Sequence, residues 1–485
     1  MVLLARYLCR QELESESGRS DDLPEYCPRP LPRGPVITLA APTPLLQTLR
    51  AQLWHDRSES AAILLCTPVK LHETGDWRLI VREAHVAPDS AYEIRTDTSV
   101  QLRPEFGLPL EKKARLRGWS IAYVHTHPTQ VGPASFSAID DAAEIPLAEY
   151  ALARSPGVPH LGLVLARESL AARRLGTREP VRVLEVGSTI NLLSDWRLTS
   201  DVENGDKNRL DRQIRAFGLE GQRRLSLMHV GIGLGGTGSL VAQQLAHLGV
   251  RRFTLVDNDV LAASNLNRTV GATNDLLGEP KVGVAARMIR TISPDSQVSA
   301  LVSDVLEHGA GRRIAEVDLI FCCTDSHASR HLLNQLSYQF LVPAIDLGVA
   351  IDTQNAVQFA GHVKALAPGL PCLWCINHLD PRRVREEMMS AEHREADPYF
   401  TGGSGEPQPS VISINATVSS IAVTMFLAMT AGVPSAARYV IYDGNRTRVS
   451  SVAATVDESC NFCSMDSTAF AGDAFPLPER RNAAG

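Results

Sequence analysis

Apolar and polar positions alternate differently in the two halves of the chain. The first half has a helical stretch at 45–54 and short apolar runs that are typical of strands at 61–66, 79–86, 119–124, 161–165 and 181–184. A further helical stretch follows Glu144. Strands and helices mixed in this way predict an α/β or α+β domain.

The second half has a regular order of strand, glycine turn, helix and strand. The apolar run at 227–231 is followed by a helical stretch at 239–248 and a second run at 253–256. Such a βαβ unit implies a parallel sheet with right-handed crossovers. Two more apolar runs, at 318–323 and 342–348, extend the predicted sheet.

These patterns predict an α/β protein in which a mixed domain precedes a Rossmann-like domain with a mostly parallel sheet. Polar residues at 200–207 mark the boundary. The predicted segments are a charged, proline-rich lead-in at 1–35, a first domain at 36–199, a second domain at 200–470 and a tail at 471–485. The long apolar stretch at 411–433 contains hydroxyl and amide side chains, so we predict a buried helix rather than a membrane span.

Composition narrows the class of partner. The 485 residues are 44% hydrophobic, enough for two or three cores, and the formal net charge is -6. Because no long basic run occurs, we expect a protein or small-molecule partner and no nucleic acid. We expect no secretory signal in the first residues, and nine cysteines, with Cys322 and Cys323 in an apolar run, do not suggest a disulfide framework. The predicted compartment is the cytoplasm.

Two histidines close a strand-like run in the first half. His125 and His127 are two residues apart, so on a strand both imidazoles point to one face and could hold one zinc ion. A catalytic zinc takes a third protein ligand, and Asp140 is the nearest suitable oxygen. Glu59, just before an upstream strand-like run, could act as general base for a zinc-bound water. The residues around Asp140 are equally typical of a helix start with Ser137 as the N-cap.

The order of a distant Glu, His-x-His-Pro and Ser-x-x-Asp resembles the JAB/MPN metalloprotease family, also called JAMM. The resemblance implies that His125, His127 and Asp140 are the ligands of a catalytic Zn²⁺. It also implies that Glu59 is the acid/base and that Ser137 assists at the scissile carbonyl.

The spacing departs from that family pattern in one place. The usual gap would put the serine at Ser135 and would leave Ala138 in place of the aspartate, so we expect two extra residues in the loop at 129–136. Asp141 is an alternative ligand, and Glu83 is an alternative to Glu59.

A glycine-rich turn opens the second half. Gly233, Gly235 and Gly238 follow a strand and begin a helix, as a phosphate-binding turn must, and Asp257 ends the next strand, where ribose hydroxyls would lie. Such a glycine pattern is weak evidence by itself, and alone it would suggest a nicotinamide dehydrogenase.

Downstream cations favour phosphoryl chemistry over hydride transfer. Arg268 and Lys281 could offset the charge of a triphosphate and of the transition state in which a carboxylate attacks the α-phosphorus. Asp325, which follows another strand, could hold Mg²⁺. Taken singly, each of the two cations is more often a solvated surface charge.

Together these residues resemble the ThiF/MoeB and ubiquitin-activating-enzyme superfamily over roughly 208–462, and 209–214 is similar to its N-terminal arginine segment. The resemblance implies ATP and Mg²⁺ as cofactors, with Asp257 on the ribose and Asp325 on the magnesium. It implies that Arg212 reaches the nucleotide of a second subunit, and therefore a homodimer. The implied nucleotide-binding set is Gly233, Gly235, Gly236, Gly238, Asp257, Asp259, Asn267, Arg268, Lys281, Asp325 and Arg212.

Four cysteines form two Cys-x-x-Cys pairs inside this second domain. Cys372 with Cys375, and Cys460 with Cys463, predict a structural Cys₄ zinc rather than a redox dithiol. Enzymes of the superfamily that form a thioester place a cysteine between the two pairs, whereas 376–459 contains no cysteine. The sequence therefore favours an enzyme that stops at the acyl-adenylate.

The main hypothesis is a bifunctional enzyme for a small ubiquitin-like protein that ends in glycine. A zinc peptidase would trim or detach that protein, and the nucleotide domain would adenylate its C-terminal carboxylate. A conjugating-enzyme partner would accompany such a pathway. One alternative is activation of a sulfur carrier for thiocarboxylate formation, and an alternative of another class is a dimeric scaffold without catalytic activity.

Overall fold

A computed structural model describes residues 35–195, 197, 204–307, 309–354, 356–389, 409–464 and 467–480, without the side chains of 204–207. Most of the predicted lead-in and part of the predicted boundary therefore lie outside the described residues. The chain forms two compact units: the first contains 45–184, the second contains the described residues from 197 onward, and short segments near 42 and 185–196 are shared between them.

The first unit is built on a mixed eight-stranded sheet. Its strand order is β10-β9-β1-β3-β2-β6-β7-β8, and β4 and β5 form a separate pair. The elements are β1 (Ile37–Pro42), α1 (Thr43–Leu53), β2 (Ala61–Lys70), β3 (Trp77–Val86), β4 (Tyr92–Arg95), β5 (Val100–Leu102), α2 (Pro104–Arg117), β6 (Ser120–Thr126), α3 (Ala138–Arg154), β7 (Leu161–Leu165), β8 (Leu170–Arg174), β9 (Arg182–Val186) and β10 (Ile190–Ser194).

The central strands of this sheet are buried on both faces. β2 and β7 consist almost entirely of buried residues, which explains their unbroken apolar runs in the sequence. β2 and β6 are antiparallel with Ala61 opposite His125. This register brings the residues just before β2 next to those just after β6, and so positions the candidate zinc site.

The second unit contains a second eight-stranded sheet with helices on it. Its elements are α4 (Asn204–Leu227), β11 (His229–Gly233), α5 (Gly238–His247), β12 (Arg252–Val256), α6 (Lys281–Ile292), β13 (Gln297–Leu301), α7 (Ala310–Ile314), β14 (Leu319–Cys322), α8 (His327–Gln339), β15 (Ala344–Asp352), β16 (Gln358–Leu366), α9 (Pro381–Met388), α10 (Ile412–Thr430), β17 (Tyr439–Asp443) and β18 (Arg448–Ser451).

Five strands of the second sheet, in the order β13-β12-β11-β14-β15, are parallel, as predicted. The remaining strands, β16-β17-β18, continue the sheet in antiparallel fashion, a feature that the sequence analysis did not predict. The chain order reverses between β11 and β14. In open sheets of this type, ligands bind in the crevice at such a reversal, outside the carboxyl ends of the strands.

The long apolar stretch forms α10, a 19-residue helix that is long and apolar enough to cross a membrane. Half of its most apolar window is buried inside the protein, and it packs against α5, β15 and β16. The prediction of a helix is confirmed, and its buried face belongs to the core of the second unit.

Two ion pairs attach the first part of the predicted tail, 471–480, to the second unit. Within 471–480, Asp473 forms an ion pair with Arg312 at 2.7 Å, and Arg480 forms one with Asp304 at 3.1 Å. These contacts fix the segment to the second unit because each charge at the chain end meets an opposite charge on the unit.

Candidate functional sites

The histidine pair of the first unit meets two carboxylates. The Nε2 atoms of His125 and His127 are 3.1 Å apart. Asp140 Oδ1 lies 3.0 Å from His125 Nε2, and Asp140 Oδ2 lies 3.5 Å from His127 Nε2. Glu59 Oε1 is 3.8 Å from His127 Nε2. The structure thus brings together the four side chains to which the sequence assigned zinc chemistry.

Asp140 also completes the start of α3. Its Oδ2 accepts hydrogen bonds from Ser137 N at 2.6 Å and from Ser137 Oγ at 2.8 Å, while its own N–H donates to Ser137 Oγ. The helix-start interpretation and the ligand interpretation therefore apply to the same residue: the capping box holds the carboxylate where the imidazoles reach it.

A glutamine that the sequence analysis did not single out orients one imidazole. Gln130 Oε1 lies 3.1 Å from His127 Nδ1, and the amide nitrogen of Gln130 donates to Pro133 O and to Ser135 Oγ. With the amide held that way, Nδ1 of His127 donates to the glutamine, and its Nε2 faces Asp140. Partners of this kind commonly fix the tautomer of a metal-binding histidine.

The spacing of these atoms fits a zinc ion. Tetrahedral zinc with nitrogen or oxygen ligands separates the ligand atoms by about 3.3 Å, and the distances among His125, His127 and Asp140 are 3.0 to 3.5 Å. Although burial opposes its charge, hydrogen bonds from both histidines hold the pKa of Asp140 below its usual value. Burial raises the pKa of Glu59.

The two alternatives considered for this site have other partners. Asp141 forms ion pairs with Arg173 and Arg178. Glu83 accepts hydrogen bonds from Lys113 at 2.7 Å and pairs with His85. Geometry therefore favours Asp140 and Glu59 over these two residues.

The glycine turn of the second unit lies at the chain reversal between β11 and β14. Gly235 has a φ of +44°, and a Cβ at this position would overlap the carbonyl oxygen of Cys323 and lie 2.9 Å from its carbonyl carbon. Only glycine allows this close approach of the turn to the end of β14. The amide of Gly235 donates to Asp257 Oδ2 at 3.1 Å, so the turn and the end of β12 are joined.

A buried carboxylate, that of Asp257, borders this turn. Asp257 is 8% exposed, and burial raises its pKa. Asp257 Oδ1 accepts from the amide of Asp259, and Lys281 Nζ, at the start of α6, is 2.6 Å from Asp259 Oδ2. Lys281 is therefore linked to the turn through Asp259 and Asp257.

The other predicted nucleotide residues are placed as follows. Arg268 is half-buried and donates to Ser264 O and to Asn267 Oδ1. Its segment is attached to the start of α5, because the amide of Val270 donates to Ser239 Oγ at 3.2 Å. Four of the predicted residues are exposed: Gly236, Asn267, Arg212 on α4, and Asp325 three residues after β14. Gly233 ends β11 and Gly238 begins α5.

These residues fit ATP. The narrow turn has no side chain at Gly235, and α5 begins directly after it. The backbone amides at the start of α5 can donate hydrogen bonds to phosphate oxygens. Lys281 supplies a cation, and the exposed carboxylate of Asp325 is a suitable ligand for Mg²⁺. The magnesium would neutralise charge on the phosphates.

The four cysteine sulfurs of the second unit converge. The Sγ–Sγ distances are 3.7 Å for Cys372–Cys375, 3.6 Å for Cys372–Cys460 and 3.4 Å for Cys375–Cys463. A tetrahedral zinc with four thiolates separates its sulfurs by about 3.8 Å. A hydrogen bond from Cys463 lowers the pKa of the Cys372 thiol. This group fits a structural zinc that links the loop after β16 to the segment after β18.

We expect Cys463→Ser to remove this zinc. Because metal binding contributes directly to folding, the melting temperature should fall by about 5 °C or more. Ser459→Ala is the matched control, since the Ser459 hydroxyl bonds to Asp457 in the same loop and is not a zinc ligand. Zinc content and thermal denaturation measure both effects, and unchanged zinc in Cys463→Ser would rule out the Cys₄ site.

The reversal of chain order, the turn at its crevice and the adjoining cation define a nucleotide-binding domain of the Rossmann type. The model of the ThiF family matches residues 210–462, about half of the chain. The chain belongs to the ThiF family, and this region is its adenylyltransferase domain.

Several curated proteins are similar to this domain. The SAMP-activating enzyme E1 of Haloferax volcanii is 32% identical over 177 residues, 35% of this chain and 63% of that enzyme. Two Escherichia coli proteins each match 37% of this chain and 72% of their own length: molybdopterin-synthase adenylyltransferase, 34% identical, and the sulfur carrier protein ThiS adenylyltransferase, 32% identical. The solved structure of E. coli MccB with ATP is 17% identical, with a TM-score of 0.43, and the match covers 56% of this chain and 76% of that one.

Proposed function

We propose that the second unit adenylates the C-terminal carboxylate of a small carrier protein that ends in glycine. The observation that carries the proposal is the turn at Gly235, hydrogen-bonded to Asp257 and bordered by Lys281, in a chain of the ThiF family. Two of the similar proteins are named for activating small carriers, a SAMP in one case and the sulfur carrier ThiS in the other.

In this reaction a carboxylate oxygen of the carrier attacks the α-phosphorus of ATP. The new oxygen–phosphorus bond forms as the bond to pyrophosphate breaks, and the products are an acyl-adenylate and pyrophosphate. Lys281 and Arg268 would offset the negative charge that develops on the phosphoryl oxygens. Asp257 would bind the ribose, and Asp325 would hold the magnesium.

The absence of a cysteine from 376–459 bears on the next step. Without a thiol between the zinc pairs, the acyl group has no nucleophile there to form a thioester. We therefore favour transfer from the adenylate to a sulfur donor, giving a thiocarboxylate, over conjugation through a thioester on this chain. Conjugation, with a conjugating-enzyme partner, is the second outcome to be tested.

Carrier-dependent exchange between pyrophosphate and ATP tests the adenylation. We expect exchange with a carrier ending in glycine, and a loss of about 10²-fold in Lys281→Ala because a cation near the reacting phosphate is removed. Arg446→Ala is the control, since that side chain is 81% exposed and pairs with Asp443 on the surface. No exchange above background with any candidate carrier would sink the proposal and favour the scaffold hypothesis.

For the first unit we propose a zinc-dependent peptidase or isopeptidase that trims the same carrier or detaches it from a target. The convergence of His125, His127 and Asp140, with Glu59 beside them, favours this second function. Zinc bound there would activate a water molecule for attack on an amide. Glu59 would take the proton of that water, and Ser137 would assist at the carbonyl.

Three further predictions remain proposals. We propose domain limits at 36–199 and 200–470. We propose a homodimer formed through the second unit, in which Arg212 reaches the nucleotide of the other subunit, and its exposure on α4 is compatible with that role. We also propose a cytoplasmic location.

A further inference from the structure

A third group of potential metal ligands lies in the second unit, apart from the cysteines. Asp346 on β15, His362 on β16 and His378 in the loop after the first cysteine pair each direct one ligand atom to a common point, and these atoms lie within 4.8 Å of one another. Asp346 Oδ2 is 2.7 Å from His362 Nε2 and 3.9 Å from His378 Nε2. The two imidazole rings meet edge to face at 4.5 Å between centroids.

The strand register creates the space for this group. β15 and β16 are antiparallel with Gly348 opposite His362. A Cβ on Gly348 would lie 2.6 Å from His362 Cε1 and 2.6 Å from Arg330 Nη2. Glycine therefore lets the imidazole and the guanidinium lie over β15 and reach Asp346. His378 is held by its backbone amide, which donates to Leu373 O at 2.9 Å.

Asp346 is a buried carboxylate whose two oxygens meet different partners. The side chain is 0% exposed, Oδ1 forms an ion pair with Arg330 Nε at 3.2 Å, and Oδ2 forms a hydrogen bond with His362 Nε2 at 2.7 Å. A buried carboxylate normally satisfies its oxygens with aligned donors or a cation. Arg330 balances the charge from one side of the carboxylate and leaves Oδ2 facing the two imidazoles.

The group opens toward solvent on the histidine side. Side-chain exposure rises from 0% for Asp346 to 17% for His362 and 24% for His378. Two imidazoles and one carboxylate with an open side match the ligand set of a metal site that keeps a position for water or another oxygen ligand.

We propose that Asp346, His362 and His378 bind a divalent transition metal ion of the size of zinc. A tetrahedral ion would need ligand separations of about 3.3 Å, so binding would move His362 Nε2 away from Asp346 Oδ2, now at 2.7 Å, and His378 Nε2 toward it, now at 3.9 Å. Asp346 lies in register with Cys322, one residue before the Cys323 carbonyl that Gly235 approaches. The site therefore lies near the carboxyl end of β14, where the glycine turn also lies. Its existence does not depend on the function proposed for that turn.

Metal content of the full chain tests this site. The background protein carries His125→Gln and His127→Gln, so that the first unit does not contribute. After loading with zinc and gel filtration, we expect the double variant His362→Gln/His378→Gln in this background to contain about one zinc ion per chain less than the background protein. His247→Gln, an exposed histidine of α5, is the matched control and should retain the full content.

Cobalt substitution shows which site has lost its metal. Cobalt bound to the cysteines gives thiolate charge-transfer bands, whereas cobalt bound by nitrogen and oxygen gives only weak ligand-field bands. We expect the double variant to lose the weak bands and to keep the thiolate bands. Should the double variant not fold, His378→Gln alone, in the loop, should weaken metal binding at least about tenfold. Equal metal content and equal spectra in variant and background would overturn the proposal and leave the group as an ion pair with Arg330.

Discussion

Gly235→Ala should abolish adenylation and destabilise the second unit. The added methyl group would overlap the carbonyl oxygen of Cys323, a backbone atom at the end of β14 that cannot move without disturbing the sheet. An alanine with φ near +44° also costs about 1 kcal/mol. The turn must therefore move away from β14, and the amide that donates to Asp257 moves with it. We expect pyrophosphate exchange to fall more than about 10²-fold and the melting temperature to fall by about 5 °C or more.

The neighbouring glycine provides the control for stability. A Cβ on Gly236 would have no atom within 4 Å, so Gly236→Ala should leave the melting temperature unchanged within about 1 °C. Thermal denaturation and exchange assays on both variants separate the effect of the overlap with Cys323 from a general intolerance of alanine in the turn. Normal stability and exchange in Gly235→Ala would show that the turn does not approach Cys323 as described.

The parallel part of the second unit could be predicted because its signals are local. The apolar run of β11, the glycines after it and the helical stretch of α5 are consecutive in the chain, and each predicts one element. The strands β16 to β18 have weaker signals. In β17 and β18, residues such as Ile441 and Val449 are partly exposed, so the apolar pattern of a buried strand is missing. Only five residues, 353–357, separate β15 from β16, too few for a crossover helix, so the two strands pair in antiparallel fashion.

In the candidate sites, too, some residues could be predicted from the sequence and others could not. Glu59 and His127 could be paired from the sequence because each flanks a strand, and the observed register, Ala61 opposite His125, places them side by side. Gln130 could not be found this way, since its role depends on the shape of the turn after His127.

The position of Asp346 in the sequence did indicate that this carboxylate has a buried partner. A carboxylate in the middle of an apolar strand must have a partner, because a buried charge without one is costly. The partners, Arg330, His362 and His378, come from a helix, another strand and a loop. No spacing in the sequence connects three such elements, so the need for a partner was predictable but its identity was not.

Glu59→Gln should remove peptidase activity while the zinc remains bound. The substrate is a carrier extended beyond its terminal glycine, and cleavage is followed by the mass of the products. Because glutamine cannot accept the proton of a zinc-bound water, we expect cleavage to slow by about 10²- to 10⁴-fold. The zinc should stay, since Glu59 Oε1 is 3.8 Å from His127 Nε2 and the three closer contacts are those of His125, His127 and Asp140.

Glu83→Gln is the matched control for this variant, because Glu83 also lies in the first unit but accepts hydrogen bonds from Lys113 and His85. It should cleave at the normal rate, whereas Asp140→Asn should lose zinc and activity together. Asp140→Asn also weakens the capping box of α3, so its melting temperature should fall by a few degrees, about 1 kcal/mol. Full cleavage by Glu59→Gln, or loss of cleavage in Glu83→Gln alone, would contradict the role assigned to Glu59. Glu59 is assigned that role because the strand register places its carboxylate next to His127, opposite Asp140.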